Sequence, residues 1–302
     1  MKHNLKDSIF FLYNNLMQFY NKYLKYKNKY LKFKNQIGGK PLTIMPQLCF
    51  GTAQYNLKET LKIALHDNGI RHIDGADLYG GLKYLEIIKA EIKEIPREEL
   101  WITWKSDDTS IENVIRIIEH LECSYIDTFL VHLDFKCNHD LSDLVRAKEL
   151  GLVRFIGVSN CENIDKLIKY KTKYNISTIQ IQARPPGCSI NRKPLIDPNF
   201  IEIINLYGIN VMLYGTISGI TNSNDFSIID SEISNINKYY FQKYCLHKNN
   251  ILITTSISGS SIERNKNDIE KMIAHEELLP EIKMEEIESK LKRVVLNDQS
   301  KL

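Results

Sequence analysis

The stretch GIRHIDGADLYG, Gly69 to Gly80, places a short apolar strand directly before two aspartates and a tyrosine, Asp74, Asp77 and Tyr79. Carboxylates at a strand end are costly to bury, because an unpaired ionised side chain loses its hydration. We therefore expect this strand to end at a polar site, to which other strands of the same sheet contribute partners.

Short apolar runs alternate with amphipathic stretches from Gln47 onward. The eight apolar runs are QLCFGTAQ, RHIDGA, LWITWKS, YIDTFLVH, VRFIGVSN, STIQIQA, INVMLYG and NILITTS. Strand–helix alternation indicates an α/β fold with a parallel sheet, and eight repeats are typical of a closed (β/α)8 TIM barrel with helices outside. A doubly wound open sheet is the alternative, but it would need fewer strands or a second domain. We predict one barrel domain over residues 41–302.

Residues 1–40 form a segment of different character. Nine lysines against one acid, Asp7, give it a charge of +8 (9 − 1), and the remainder of the +3 chain carries −5 (3 − 8). Apolar and aromatic residues recur in steps of four and three until Gly38-Gly39 and Pro41, which predicts a basic amphipathic helical arm. The mildly acidic body argues against a nucleic-acid groove in the barrel.

The remaining composition excludes several classes of protein. The 302 residues are 43% hydrophobic, enough for a large core, yet no run is long and apolar enough to span a bilayer and the start does not resemble a secretory signal. The six cysteines are scattered without a CxxC pair, so we expect reduced thiols in a cytosol-like compartment. They are Cys49, Cys123, Cys137, Cys161, Cys188 and Cys245.

Polar side chains occur at the C-terminal end of every predicted strand. In chain order they are Gly51-Thr52, Asp74 with Tyr79, Lys105, His132, Ser159-Asn160, Gln180 with Gln182, Tyr214 and Ser256. The C-terminal ends of barrel strands meet at one rim, where the active sites of such barrels lie. The acids of the opening stretch are therefore interpreted as one strand's contribution to a polar cluster at this rim.

Four members of this cluster together form a set that can donate a proton: Asp74, Tyr79, Lys105 and His132. A free tyrosine has a pKa near ~10, and a neighbouring ammonium would lower it by stabilising the phenolate. An aspartate would fix the lysine, and a neutral histidine could hydrogen-bond a carbonyl oxygen. The set fits protonation of a carbonyl oxygen that gains charge as hydride reaches its carbon. A Schiff-base lyase or aldolase with Lys105 as nucleophile is an alternative.

Eight motifs in order resemble the aldo-keto reductase family over about residues 42–285. They are GTAQ, GIRHIDGADLYG, WITWKS, SYIDTFLVH, GLVRFIGVSN, IQIQARP, NVMLYG and ISGSSIERNKND. The resemblance implies an NADP(H)-dependent oxidoreductase that reduces an aldehyde or ketone to an alcohol, with NAD(H) as an alternative cofactor. A weakly active member that serves as a cofactor-binding or structural protein is the alternative function.

The resemblance also implies residue roles. Tyr79 would be the general acid, tuned by Lys105 and Asp74, with His132 orienting the substrate. The cofactor would be held at Gly51, Thr52, Asp74, Ser159, Asn160, Gln180, Tyr214, Ser258, Arg264 and Asp268. Among these, Ser159, Asn160 and Gln180 would hold the nicotinamide carboxamide, Tyr214 would stack on its ring, Arg264 would meet the adenosine phosphate and Asp268 would lie near the adenine.

Several positions depart from the family pattern. Cys161, Gln182, Gly215 and Ser258 replace the more common phenylalanine, glutamate, serine and lysine, which leaves substrate choice and the preference between NADPH and NADH open. We interpret His72 as a satisfied core histidine and Asp77 as a loop or structural residue. No cluster of His, Cys and Asp has metal-ligand spacing, so we expect no metal.

The arm, residues 1–40, resembles a lysine- and tyrosine-rich N-terminal segment of giant DNA virus proteins. We expect a cytoplasmic location, which for a viral protein would be the host-cell cytoplasm, with the virion as an alternative. The arm could be a docking or packaging element that binds a viral assembly component, a contact to another copy, a peripheral membrane helix, or a helix with no partner.

Overall fold

A computed structural model describes residues 41–53, 56–182, 198–215 and 251–254. Eight parallel strands follow one another around a closed barrel, each hydrogen-bonded to its neighbours in chain order and β8 to β1. They are β1 Leu48–Gly51, β2 His72–Ala76, β3 Trp101–Ser106, β4 Ile126–Val131, β5 Val153–Ser159, β6 Thr178–Gln182, β7 Asn210–Tyr214 and β8 Ile251–Thr254. The predicted barrel is confirmed, with every strand in its expected run of sequence.

Helices follow the first six strands. They are α1 Leu57–Lys62, which continues into a π-helical turn, α2 Gly81–Ile92, α3 Ile111–His120, α4 Ser142–Glu149, α5 Ile164–Tyr174 and α6 Pro198–Leu206. The predicted helices after β7 and β8 and the basic arm lie outside the described residues. Within the described part of the chain, no helix has the length and apolarity needed to cross a membrane.

The helix α3 illustrates how the sequence defines these elements. Ser110 precedes it in extended conformation, and its side chain accepts a hydrogen bond from the backbone N–H of Asn113, so an otherwise unpaired donor is satisfied. Ile111, Val114 and Ile118 share a helical face and are buried against the barrel. This burial fixes α3 beside β3 and β4, which matters for the rim described below.

The core has two parts. The larger part lies between the strands and the helices and includes Leu61, Ile88, Trp104 and Phe129. A smaller cluster of Met45, Cys49, Trp101 and Met212 fills the barrel itself. The alternation of strand side chains produces this division, since neighbouring residues on a strand face opposite sides of the sheet.

Asp127, near the start of β4, is fully buried, and its carboxylate accepts hydrogen bonds from two arginines. Arg97 Nη2 reaches Oδ2 and Arg154 Nη1 reaches Oδ1, both at 2.5 Å, and the backbone N–H of Ile102 donates to Oδ2 at 2.8 Å. The arginines also donate to backbone carbonyls, Arg97 to that of Tyr125 and Arg154 to that of Leu42. The network ties the starts of three strands together at the N-terminal end of the barrel.

His72, the first residue of β2, is a satisfied core histidine, as predicted. The ring is fully buried, with Nδ1 3.1 Å from the carbonyl oxygen of Pro46 and Nε2 2.8 Å from Oγ1 of Thr103. Burial is the main reason that the His72 pKa is lowered to about 4. The ring is therefore neutral at physiological pH and serves the packing of the barrel.

Candidate functional site

A cavity of about 320 Å³ opens at the C-terminal rim of the barrel. Its lining comes from the strand ends and the loops that follow them, and consists of Gly51, Ala53, Asp74, Tyr79, His132, Leu133, Ser159, Asn160, Gln180 and Tyr214. The strand register produces this convergence, because Gly51 pairs with Asp74, Ala76 with Lys105, and Ser159 with Gln180 across neighbouring strands. Most members of the predicted polar cluster line this cavity, while Thr52, Lys105 and Gln182 are not part of its lining and Ser256 lies outside the described residues.

A buried ion pair joins Asp74 of β2 to Lys105 of β3. Lys105 Nζ donates to Asp74 Oδ2, and both side chains are almost fully buried. Gln180 Nε2 donates to the other carboxylate oxygen at 2.9 Å, and the hydroxyl of Thr52 donates to the backbone carbonyl of Asp74 at 2.7 Å. Both carboxylate oxygens are paired, as a buried charge requires.

Tyr79 lies at the end of a 3-10 turn, Asp77–Tyr79, that follows β2. The ammonium of Lys105 lies 5.2 Å from the centroid of its ring. Two aromatic rings meet it edge to face, Tyr84 at a centroid distance of 6.0 Å and His132 at 5.9 Å. The phenol is therefore held between packed rings, beside a buried cation and next to the cavity.

The pKa of Tyr79 differs in direction from the sequence-based expectation. Burial raises it above its usual value, and this outweighs the lowering by the charge and hydrogen bonding of Lys105. The pKa of Lys105 is also raised: burial lowers it, but the charges of Asp74 and Tyr79 more than compensate. The expected lowering by the neighbouring ammonium is present, but burial of the phenol outweighs it, so the net direction differs from that expectation.

His132 follows β4 and lines the cavity beside Tyr79. Its pKa is lowered, first by burial and then by the positive charge of Lys105, so the ring is neutral near pH 7. Within the described part of the chain, its Nδ1 atom is buried without a hydrogen-bond partner. A neutral ring with one buried, unpaired nitrogen is an unusual arrangement away from a functional site.

Ser159, Asn160 and Tyr214 form a connected polar group on the opposite wall. Tyr214 donates its hydroxyl to Asn160 Oδ1 at 2.7 Å, and Asn160 Nδ2 donates to the Ser159 hydroxyl at 3.1 Å. Asn160 has a positive φ of 65°, and its backbone N–H donates to the carbonyl of Gln180 at 2.8 Å. The three side chains are thus fixed relative to one another by hydrogen bonds and by the register of β5 and β6.

Three residues of the expected cofactor set, Ser258, Arg264 and Asp268, lie outside the described residues, as does the strand-end Ser256. Every other member lies on the rim. In addition to the cavity-lining residues, Thr52 sits behind Asp74, where its hydroxyl also contacts that of Tyr84. In the described ranges, no group of three or more His, Cys, Asp or Glu side chains could hold a metal ion.

The prediction that all six cysteines are reduced thiols was wrong for one pair. Cys137, in the loop after β4, and Cys161, just after β5, form a disulfide with Cα atoms 5.4 Å apart. They lie 24 residues apart in sequence, but the strands before them are neighbours, so the two loops meet at the same rim. Cys49 and Cys123 are reduced thiols, and the remaining two cysteines lie outside the described residues.

A second feature that the sequence did not reveal is the buried Asp134, two residues after His132. Its carboxylate accepts from the Tyr170 hydroxyl at 2.9 Å and contacts Nδ1 of His139 at 2.9 Å. Its backbone N–H donates to the carbonyl of Ser159 at 2.9 Å. Together with the disulfide, these contacts hold the loop after β4 against the loop after β5.

A closed parallel barrel with a polar site at its C-terminal rim places the protein among the (β/α)8-barrel proteins. Comparison with known proteins then identifies its family. The model of the aldo/keto reductase family matches residues 47–285, most of the chain. The chain therefore belongs to the aldo/keto reductase family.

Individual curated relatives match only part of the chain. The chain is 35% identical over 130 residues to methylglyoxal reductase DkgA of Yersinia pestis, covering 39% of this chain and 46% of that protein. It is 31% identical over 154 residues to methylglyoxal reductase DkgB of Escherichia coli O157:H7, covering 45% and 57%. The matched part of the chain thus spans about half the length of these curated relatives.

Solved structures agree with the fold. An aldo-keto reductase of Bombyx mori, solved in complex with NADP, superposes with a TM-score of 0.62 at 21% identity, covering 83% of this chain and 93% of that one. At this identity the likeness establishes the shared barrel architecture.

Proposed function

We propose that this protein is an NADP(H)-dependent oxidoreductase that reduces an aldehyde or ketone carbonyl to an alcohol. The observation that carries the proposal is that Asp74, Tyr79 and His132 line one cavity, while the buried ammonium of Lys105 is paired with Asp74 and lies beside the phenol. Family membership and the NADP bound to the Bombyx mori structure support the same reaction.

Tyr79 is assigned as the proton donor. Its raised pKa keeps the phenol protonated at neutral pH, so the proton is available when a substrate oxygen becomes negative. Lys105 stabilises the phenolate that remains after transfer, because its positive charge lies beside the ring. Asp74 keeps that lysine charged and in place through their buried ion pair.

His132 is assigned to the orientation of the carbonyl. No described group accepts a hydrogen bond from its buried Nδ1, and buried N–H groups without an acceptor are rare, so we place the hydrogen of the neutral ring on Nε2. An Nε2–H can donate to a carbonyl oxygen without transferring its proton, which leaves the acid role to Tyr79.

The wall formed by Ser159, Asn160 and Gln180 fits a nicotinamide carboxamide. A carboxamide needs both donors and acceptors, and the serine hydroxyl and the two amide side chains offer both. Hydrogen bonds fix these groups before a ligand arrives, since Asn160 is bonded to Ser159 and to Tyr214 and Gln180 is bonded to Asp74. This preorganisation lowers the entropic cost of binding. When bound, the cofactor supplies the hydride for the carbonyl carbon.

Preference for NADP(H) over NAD(H) is assigned to Arg264, by its match to the family motif. A guanidinium forms charge-assisted hydrogen bonds with a 2′-phosphate, which NADPH has and NADH lacks. Arg264→Ala should weaken NADPH binding by about 1.5–3 kcal/mol and leave NADH binding nearly unchanged. Equal losses for both cofactors in a fluorescence titration would contradict a phosphate contact.

The relatives suggest where to look for a substrate. Two of them are named methylglyoxal reductases, and the cavity of about 320 Å³ is large enough for a small aldehyde. We propose small aldehydes, including 2-oxoaldehydes such as methylglyoxal, as the substrate class. Measuring kcat/KM for a panel of these aldehydes, the activated aldehyde 4-nitrobenzaldehyde and several ketones would rank the candidate substrates.

The test of the proposed function is NADPH oxidation by the purified full chain with this panel. Tyr79→Phe should lower kcat by about 10²–10⁴-fold, the usual contribution of general acid catalysis, while NADPH binding stays within a factor of about two. Tyr207→Phe is a matched control, because Tyr207 is a partly exposed tyrosine just after α6, before β7 begins.

Two outcomes would favour the alternatives. Tight NADPH binding without reduction of any carbonyl would indicate a cofactor-binding or structural member of the family. Trapping of a carbonyl substrate on Lys105 by borohydride would indicate a Schiff-base mechanism. Wild-type turnover in Tyr79→Phe would contradict the proton-donor assignment directly.

We further propose that the arm, residues 1–40, is a targeting or assembly element separable from catalysis. The support is its concentration of lysines and its position before the segment that matches the family. A chain that begins at Pro41 should then fold, bind NADPH and turn over at nearly the full-length rate. Loss of folding or activity in that shortened chain would make the arm part of the catalytic domain.

A further inference from the structure

The 3-10 turn Asp77–Tyr79 is held at its first residue by three hydrogen bonds. Asp77 Oδ1 accepts from Trp104 Nε1 and from Arg116 Nη2, and Oδ2 accepts from Asn113 Nδ2, each at 3.1 Å. We call these four residues the Asp77 network. The sequence-based interpretation of Asp77 as a loop or structural residue did not include these contacts.

The donors of this network belong to the elements that surround Lys105. Trp104 directly precedes Lys105 on β3, and the two side chains face opposite sides of the sheet. Asn113 and Arg116 belong to α3, and Asn113 Nδ2 also donates to the Ser106 hydroxyl at 2.9 Å. The carboxylate of Asp77 thus connects the turn that carries Tyr79 with the strand that carries Lys105.

Only part of the turn packs against its surroundings, because the Tyr79 ring is held between two aromatic rings whereas the middle residue of the turn is exposed. Leu78, between Asp77 and Tyr79, is 62% exposed and contributes little apolar contact. Gly80 and Gly81 follow with φ values of 150° and 64°, a backbone that glycine adopts readily and that adds little rigidity of its own. The Asp77 network therefore supplies an anchor on the N-terminal side of Tyr79 where apolar burial is weak.

Trp104 itself is rigidly placed. It is fully buried, and its ring lies so close to Gly75 of β2 that a Cβ there would come within 2.6 Å of Cζ3. Tyr84 packs against the same indole at a centroid distance of 5.9 Å. A donor fixed in this way can hold the position of Asp77 with little freedom.

We propose that Asp77 is a positioning residue for Tyr79, which through Trp104, Asn113 and Arg116 sets the phenol against the ammonium of Lys105. The proposal rests on the proposed function, because it concerns the same proton donor. A shift of the order of 1 Å in a reacting group can lower a rate by about 10²-fold, so loss of the anchor should be visible in kcat.

Three variants test this role. Asp77→Ala removes both acceptors, and kcat should fall about 10–100-fold while NADPH binding changes less than about twofold. Asp77→Asn keeps one carbonyl oxygen for the Trp104 or Arg116 donor, so its kcat should lie between those of Asp77→Ala and wild type. Trp104→Phe removes a single donor while retaining a buried ring, and should lose a few-fold in kcat.

Asp140→Ala is a matched control. Asp140 also accepts three hydrogen bonds, from the backbone N–H and hydroxyl of Ser142 and the hydroxyl of Tyr174, but it lies in the loop after β4. Its removal should leave kcat per folded molecule close to that of wild type. A comparable kcat loss in Asp140→Ala would mean that any loosened loop has this effect, and would overturn the specific role of Asp77.

A readout independent of turnover is the titration of Tyr79 by NMR. The full chain is labelled with ¹³Cζ-tyrosine, and the Tyr79 signal is assigned by its absence in Tyr79→Phe. The charged or titratable groups around the phenol are Lys105 of β3, Asp74 of β2, Cys49 of β1, Tyr84 of α2 and His132 after β4. Burial raises the pKa of Tyr79 and Lys105 lowers it, so a phenol that leaves this place loses both effects. If Asp77 holds the phenol against Lys105, the titration midpoint in Asp77→Ala and Asp77→Asn should therefore differ from that of wild type, by about threefold or more in the ionisation constant.

The two proposals can fail separately. A wild-type protein that reduces no carbonyl, but whose Tyr79 midpoint shifts in the Asp77 variants, would end the proposed function and support the positioning role. An active wild type with unchanged kcat per folded molecule and an unchanged Tyr79 midpoint in the Asp77 variants would overturn the positioning role. If Asp77→Ala does not fold, the same two measurements, kcat per folded molecule and the Tyr79 midpoint, are made on Asp77→Asn and Trp104→Phe.

Discussion

Asp74 and Asp127 are both buried aspartates paired with cations, but they lie toward opposite ends of the barrel and differ in what surrounds the pair. Asp127 is shared by two arginines, whose remaining donors bind backbone carbonyls. Asp74 is paired with one lysine, and a phenol and an imidazole beside that pair line a cavity. The same kind of ion pair can thus serve to join strands or to tune a reacting group.

The difference between the two ion pairs follows from the chemistry of their cations, arginine at Asp127 and lysine at Asp74. A guanidinium offers five donors in a fixed plane and stays charged, so it suits a closed structural network. An ammonium is a compact charge whose donors can be shared with a neighbouring phenol, and its protonation responds to its surroundings. Substitutions at the two aspartates should therefore separate stability from catalysis.

The largest expected effect is on stability, at the N-terminal end. Asp127→Asn removes the negative charge between Arg97 and Arg154. It should lower the free energy of unfolding by about 3 kcal/mol, the lower end of the range for breaking a buried ion pair, because the carboxylate is fully buried and the arginines are partly buried. Urea denaturation at pH 7 measures this, and kcat per folded molecule should stay close to wild type. The exposed Asp165→Asn in α5 is the control and should be close to wild type. Wild-type stability in Asp127→Asn would contradict the structural role.

The next effect is on catalysis, at the rim. Asp74→Asn removes the charge that raises the pKa of Lys105, while the burial that lowers it remains, so the pKa of Lys105 falls and the ammonium loses its buried partner. We expect kcat to fall by about 10²–10³-fold, as when a donor that stabilises developing charge is lost. Steady-state kinetics with NADPH and an aldehyde measure this. A kcat close to that of wild type would remove Asp74 from the catalytic set.

The rim also contains the disulfide between Cys137 and Cys161, and its effect should be on stability. Closing a loop of 24 residues restricts the unfolded chain, so reduction should lower the free energy of unfolding by about 3 kcal/mol. Urea denaturation with and without reductant measures the loss. The double variant Cys137→Ser, Cys161→Ser should show no response to reductant, and a wild type that is equally unresponsive would argue that the pair is not bonded in solution.

The smallest effect is a pH dependence at the other end of the barrel. The folded-state pKa of His72 is about 4, below its ordinary value of 6.5, so the unfolded chain binds the proton more readily between these values. Stability is therefore fully present above pH 6.5 and is lost as the pH falls toward 4, by about 2 kcal/mol between pH 7 and pH 5. His72→Gln should show a shallower loss over this range in urea denaturation. An identical pH profile in both proteins would rule out His72 as the source.

Much of the architecture could be predicted, because it depends on local pattern. The alternation of apolar runs with amphipathic stretches indicated the eight strands of the barrel, and barrel topology then brings strand ends together. Asp74, Lys105 and Gln180 come from three strands that are far apart in sequence, yet they contact one another as that topology requires.

What could not be predicted depends on loop geometry and depth of burial. Cys137 and Cys161 lie in irregular loops with no spacing signal, and only the packing of those loops brings their sulfurs together. The direction of the Tyr79 pKa depends on how far burial outweighs Lys105, which residue identity does not reveal. The role of Asp77 likewise depends on the path of Trp104 and α3.

Hydride transfer to a carbonyl, with Tyr79 supplying the proton, is the central claim, and isotope transfer tests it most directly. The full chain is incubated with NADPH that carries two deuterium atoms at C4 of the nicotinamide and with 4-nitrobenzaldehyde, and the alcohol product is examined by mass spectrometry and NMR. We predict one deuterium on the carbinol carbon, formed about 10²–10⁴-fold more slowly by Tyr79→Phe and at the wild-type rate by Tyr207→Phe. Alcohol without deuterium, or an undiminished rate in Tyr79→Phe, would contradict the account.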